Sequence, residues 1–126
     1  MTDEGTYAAE ARARWGETDA YRESERRTAS YTRADWAEMR AELVAIEERL
    51  AWLLTSGLPA DGSEAREAAE RHRLHITRWF YDCDPEMHRL LAQMYVTDPG
   101  FTEHYDRRAP GLAQYVHDAI LATSSA

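Results

Sequence analysis

The sequence predicts an all-α domain, and three observations lead there. Apolar residues recur at helical spacing along most of the chain, strand-type alternation is missing, and β-branched residues never cluster. The 126 residues, 44% hydrophobic and 30% charged, suffice for one compact core and are too few for two ordinary domains. Residues 1–126 are therefore read as a single domain.

The first thirty residues suggest two short helices, roughly 6–14 and 18–30, broken at Gly16. The second, TDAYRESERRTASY, offers little beyond Ala20, Tyr21, Ala29 and Tyr31 for apolar contact. A helix that polar cannot be held by burial alone. A flexible N-terminal flap is expected over 1–31, in front of a stable helical core over 32–126.

From Thr32 the pattern sharpens. Thr32 or Asp35 can cap a helix whose Trp36, Met39, Leu43, Ile46, Leu50 and Leu53 form one stripe, and Ser56-Gly57-Leu58-Pro59 stops it. Asp61 or Ser63 is expected to cap the next helix, with Ala65, Ala69, His72, Ile76, Trp79 and Phe80 on one face and an end near Asp82. Asp84-Pro85 reads as an N-cap followed by proline at the first helical position. The helix it opens turns Met87, Leu91, Met94 and Tyr95 inward and ends before Asp98-Pro99-Gly100. A short helix or turn over Phe101–Asp106 follows. Pro110-Gly111 then opens a last helix with Leu112, Tyr115, Val116, Ala119 and Ile120 inward.

Composition narrows the function. The net charge is −8, and the basic residues, all arginine, are scattered among the acids, so this chain alone should not bind nucleic acid. No apolar run is long enough to span a bilayer, and no membrane association is expected. The start, MTDEGTYAAEARARWG, lacks the basic end and apolar stretch of a secretion signal, so the expected compartment is the cytoplasm. The single cysteine, Cys83, forbids an internal disulfide and suits a reducing interior.

Chemistry could reside in the stretch WFYDCDPEMH, residues 79–88. His72, His75, Cys83 and His88 could together suit zinc, but the chain has neither a Cys-x-x-Cys nor a His-Glu-x-x-His pattern. His72 lies on the apolar stripe with Ile76, where a satisfied core histidine explains it better, so no metal is expected. A Cys83–His88 nucleophile and base would lack oxyanion-hole glycines, and the chain should not be an enzyme. The flanking Asp82 and Asp84 would raise the thiol pKa while the following helix N-terminus would lower it. The arginines and acids around the histidines make a poor haem pocket, and no cofactor is expected. Three consecutive aromatics, Trp79, Phe80 and Tyr81, cover most of a helix circumference and cannot share one core. The surplus ring faces a ligand cleft, the flap or solvent, and the residues leave cleft and flap packing equally open.

Three segments carry a resemblance: WGETDAYRESERRTASYTRADW (15–36), AAERHRLHITRWFYDCDPEMH (68–88) and MYVTDPGFTEHYDRRAPGLAQYVHDAILA (94–122). Together they resemble the TipAS antibiotic-recognition domain, the ligand-binding domain of TipA-type regulators in the MerR family. The resemblance implies a haem-free, globin-like fold with a broad cleft for thiopeptide antibiotics, closed by N-terminal helices that order on ligand binding. It also implies that a thiol can add to a dehydroalanine of the antibiotic, which needs a thiolate and a tightly held acceptor. Family members resemble a YDC-x6-C pattern, in which the second thiol is favoured for the adduct; here the second position is Leu90. Covalent capture, if made, would fall to Cys83.

The reading that follows is a thiopeptide-like antibiotic bound for sensing or sequestration. Trp79, Tyr81, Cys83, Met87, His88, Leu91 and Tyr95 would line the cleft, with Trp15 and Tyr21 arriving from the flap. The competing reading is a helical protein-interaction domain without antibiotic binding. The winged-helix and coiled-coil parts of a MerR-type regulator are not in the sequence, which suits a free-standing domain or a part of a longer regulator. Oligomeric state is open.

Overall fold

The computed structural model describes residues 19–124, which form α1 (Asp19–Thr28), α2 (Arg33–Thr55), α3 (Ser63–Trp79), α4 (Pro85–Thr97), α5 (Pro99–Asp106) and α6 (Leu112–Ser124). The helix expected over 6–14, and Trp15, lie outside the described residues.

Local chemistry sets most boundaries. Thr32 caps α2 by accepting from Asp35 N, while the Asp35 carboxylate accepts from Thr32 N at 2.9 Å, a reciprocal capping box. The helix stops where Gly57 takes a positive φ of 79°, in the left-handed region that favours glycine. The cap of α3 departs from expectation. It is Gly62, with no side-chain hydrogen bond, rather than Asp61 or Ser63. The reason is close quarters: Gly62 N donates to Pro59 O, and a Cβ at Gly62 would meet Pro59 atoms at 3.1 and 3.2 Å.

The far end of α3 also comes early, at Trp79 instead of near Asp82. Phe80 N and Tyr81 N both donate to Ile76 O, which tightens the last turn and swings the chain away from the helix axis. Asp84 then caps α4 through Met87 N at 2.8 Å, with Pro85 at the first position as the pattern predicts. Asp98 and Pro99 repeat the device for α5, which begins two residues before Phe101. The Asp106 carboxylate, at the end of α5, accepts from Ala113 N at 2.9 Å and fixes the entry to α6.

Helix α6 runs through the middle, packing on α2, α3, α4 and α5. Leu112, Val116, Ala119 and Ile120 of α6, Leu50 and Leu53 of α2 and Ala92 of α4 are fully buried. Each large aliphatic side chain so buried contributes about 1.5–3 kcal/mol. Helix α1 buries none of its residues.

Candidate functional site

The stretch singled out in the sequence becomes the end of α3, a short turn, and the start of α4. The three consecutive aromatics diverge as their spacing requires. Trp79 is buried, whereas Phe80 and Tyr81 are half-buried against the edge of the core. The Trp79 indole is fixed from several sides. Its Nε1–H donates to Glu42 Oε1 at 3.0 Å, the Arg78 guanidinium lies 4.5 Å above the ring, and Tyr31 meets it edge-on at 5.6 Å. Tyr31 also packs edge-on against Trp36, which in turn lies beside Phe80. An aromatic group thus forms where the α1–α2 link, the start of α2 and the end of α3 converge.

Beside this group lies an open groove of about 460 Å³ lined by Arg33, Trp36, Ala37 and Arg40. The sequence reading placed Trp36 only on the inner stripe. Arg33, Ala37 and Arg40 stand three before, one after and four after it, which puts all four residues on one helix face. That spacing was the available signal for a rim position.

Cys83 is 1% exposed. Its backbone is pinned on both sides: Cys83 N donates to Thr77 Oγ1 at 3.0 Å, and Cys83 O accepts from Arg73 Nη1 at 2.8 Å. Burial pushes the thiol up to about 12 despite the Arg73 charge, with Asp84 and Glu70 acting in the same direction as burial. The thiol is therefore held protonated and away from solvent. Leu90, by contrast, is 53% exposed on α4. The position at which the resembled pattern carries its second thiol faces outward, and the one thiol present faces inward.

The histidines pair with unexpected partners. His72 and His88 are both buried, with Nδ1 of the first 2.9 Å from Nε2 of the second and the rings stacked at 5.2 Å. One ring must donate and the other accept. Burial lowers His72 to about 3 and His88 to about 4, with the Arg73 charge adding to burial at His88, so both are neutral near pH 7. The satisfied core histidine expected at position 72 is thus half of a buried pair, and the hydrogen-bond partner of His88 is an imidazole, not the Cys83 thiol. His75, three residues along from His72, turns to α2 instead, where its Nδ1 lies 2.6 Å from Glu42 Oε1. His72 and His75 therefore face different helices. Among the described residues no group of three or more His, Cys, Asp or Glu side chains is placed to hold a metal ion.

Leu91 and Tyr95 complete the inner side. Both are buried, and Tyr95 is surrounded by the rings of His72, Phe101 and Tyr105. Burial raises the Tyr95 phenol well above its ordinary value, and does the same for Tyr81. A buried carboxylate, Glu47, joins α2 to α5 through His104 Nε2 at 3.0 Å and meets Arg108 Nη2, just past α5, at 3.4 Å. The structure thus brings Cys83, His88, Leu91 and Tyr95 together in the interior, with Tyr81 and Met87 half-buried at its margin. Tyr21 is half-buried on α1, apart from the α3–α4 turn in sequence. Chemically, this wall of aromatic and apolar groups is a packed interior, and the open space lies at the groove beside Trp36.

This fold and its aromatic wall define a helical ligand-recognition domain. The chain belongs to the TipAS antibiotic-recognition domain family, whose model matches residues 7–123. It is 48% identical over 122 residues to the HTH-type transcriptional activator TipA of Streptomyces coelicolor, covering 97% of this chain and 48% of that protein. It is 35% identical over 116 residues to the HTH-type transcriptional activator mta of Bacillus subtilis, covering 92% of this chain and 44% of the relative. The chain thus spans about half the length of the curated relatives it matches. Among solved structures it superimposes on TipAS of Streptomyces lividans in complex with nosiheptide, with a TM-score of 0.88 and 48% identity over 98% of this chain and 87% of that one. It also matches the antibiotic-binding domain of a TipA-class multidrug-resistance transcriptional regulator, with a TM-score of 0.64 and 45% identity over 69% of this chain and 93% of that one. The all-α, globin-like fold expected from the sequence is the one these structures share.

Proposed function

We propose that this domain binds thiopeptide-like antibiotics on the surface formed by the end of α3, the following turn and α4, and does so reversibly. The observation that carries the reading is the match across nearly the whole chain to a TipAS domain in complex with nosiheptide. The half-buried rings of Trp36, Phe80 and Tyr81 support it, with Arg33 and Arg40 beside Trp36. Within a longer regulator such binding would report the drug; in a free-standing protein it would sequester the drug. Trp79, Tyr81, Cys83, Met87, His88, Leu91 and Tyr95 form the proposed contact wall and its backing, with Tyr21 and Trp15 contributed from the N-terminal side.

Reversibility follows from the thiol. With Cys83 buried and pushed up to about 12, almost no thiolate is available at neutral pH for addition to a dehydroalanine. The test is titration with a thiopeptide panel that includes nosiheptide, following intrinsic tryptophan fluorescence and intact mass. Saturable fluorescence change without a mass gain is expected. A mass gain equal to the ligand, lost in Cys83→Ser, would replace reversible with covalent capture. No response to any member of the panel would sink the thiopeptide reading.

A further inference from the structure

Cys83 belongs to a turn, not to a helix. Residues 80–84 link α3 to α4, and connecting segments run over protein surfaces. Asp82 and Asp84 follow that rule and are exposed, whereas Cys83 between them is buried. Something in this turn holds one side chain inward against the habit of its neighbours.

The hold comes from α3. Arg73 and Thr77 stand four residues apart on one face of that helix. Arg73 Nη1 donates to Cys83 O at 2.8 Å, and Thr77 Oγ1 accepts from Cys83 N at 3.0 Å. Both backbone groups of a single turn residue are therefore bound by side chains of the preceding helix. The guanidinium is itself aimed from behind. Glu70 accepts from Arg73 Nε at 3.1 Å and from Nη2, which leaves Nη1 for the turn. On either side the chain is fixed by bonds of the helix ends, from Tyr81 N to Ile76 O and from Met87 N to the Asp84 carboxylate. With its N–H and its carbonyl both tied to α3, the Cys83 backbone cannot rotate without breaking a bond. Its side chain is thereby kept turned into the core cluster.

We infer that Arg73 and Thr77 are positioning residues of a clamp on the α3–α4 turn, and that this clamp keeps the Cys83 sulfur sealed from electrophiles. The charge of Arg73 works against its geometry. Burial pushes the thiol up to about 12, and the Arg73 guanidinium opposes that rise. A neutral side chain at position 73 removes the opposition, leaves still less thiolate and slows attack on an electrophile. Loss of the clamp lets the turn open, exposes the sulfur and speeds the same attack. The two effects have opposite signs, so one rate separates them. The clamp also decides whether an electrophilic ligand beside the turn meets a thiol at all. That consequence rests on the antibiotic reading above; the clamp itself does not.

Labelling of the folded protein with iodoacetamide at neutral pH, followed by intact mass, tests the clamp. The set is wild type, Arg73→Met, Thr77→Val, Thr77→Ser and the control Arg71→Met, which removes an exposed charge from the same helix. Urea denaturation of each variant gives the labelling rate that global unfolding alone allows. Arg73→Met and Thr77→Val should label about tenfold faster than wild type or more, and faster than global unfolding allows. Thr77→Ser keeps the hydroxyl that accepts from Cys83 N and should match wild type, as should Arg71→Met. Labelling of Arg73→Met at the wild-type rate or below it would overturn the proposal, because the charge effect would then stand alone. Equal rates in Thr77→Val and Thr77→Ser would do the same, since the hydroxyl would then hold nothing. So would an acceleration that lost global stability accounts for in full.

Discussion

Helices α1 and α6 are held to the same body by different physics. Helix α6 buries Leu112, Ala113, Tyr115, Val116, Ala119 and Ile120, whereas α1 buries nothing and is anchored through Arg27 and the adjoining Tyr31. Apolar burial is non-directional and accumulates with area, so α6 tolerates small shifts and gives way only with the whole core. A few hydrogen bonds to carbonyls are directional and each adds about 1 kcal/mol net. Such an attachment can open and close without disturbing the interior. The molecule thus combines a firm body with a helix whose placement rests on a handful of polar contacts beside the proposed ligand wall.

The comparison can be broken most forcefully with acid. Unfolded imidazoles take up protons below about pH 6.5, while the folded His72 and His88 do so only at about 3 and about 4. Between these limits the unfolded chain binds more protons, so stability is complete above the upper limit and declines as pH falls. The slope should approach about 2.7 kcal/mol per pH unit if both imidazoles contribute fully. Chemical denaturation across pH 7 to 4 measures it. A His88→Phe variant that keeps the wild-type slope would show that the pair is not its source. The Arg27 guanidinium keeps its charge throughout, so acid should weaken the core while salt preferentially loosens α1.

A smaller effect is expected from single core truncations. Ile120→Ala removes a fully buried side chain and should cost about 2–5 kcal/mol in urea denaturation. An exposed α1 change such as Glu25→Ala should stay within about 0.5 kcal/mol. Comparable losses from the two would erase the distinction between the regions. The smallest effect is local. Asp84→Ala removes the α4 cap and should cost about 1 kcal/mol, with faster amide exchange concentrated at Met87 and its neighbours.

The comparison also clarifies Cys83 and Leu90. Seven positions apart, one is sealed in the core and the other is on the surface. An alkylating reagent at neutral pH should leave Cys83 unmodified in the folded protein and label it promptly in denaturant. Fast labelling of the native state would contradict a buried thiol held up to about 12.

Much of the fold was legible in the sequence because its causes are local. The Thr32–Asp35 capping box, the Asp84-Pro85 start of α4 and the inward set Leu112, Tyr115, Val116, Ala119 and Ile120 follow from spacing and side-chain chemistry within a few residues. The family, too, was legible in three segments that keep their order along the chain. The misplacements were at α3, where Gly62 serves as cap because the preceding turn folds tightly onto Pro59, and where the helix ends three residues early because two amides share Ile76 O. The candidate residues were read as one cleft lining; packing puts Cys83, His88, Leu91 and Tyr95 in the interior, Trp79 in the aromatic group with Tyr31, and Tyr81 and Met87 half-buried, a division that nothing local distinguished.

The sequence by itself determined where helices form, which face of each turns inward, and that an aromatic turn carries the only cysteine. Tertiary structure alone decided the state of that cysteine and the partners around it. His72 meets His88 across 16 positions, and Arg27 reaches Thr77 across 50. Such contacts depend on how helices cross, and no periodicity within one helix encodes the distance to another. WFYDCDPEMH could name the groups, but only packing could turn the thiol inward and leave Leu90 outside.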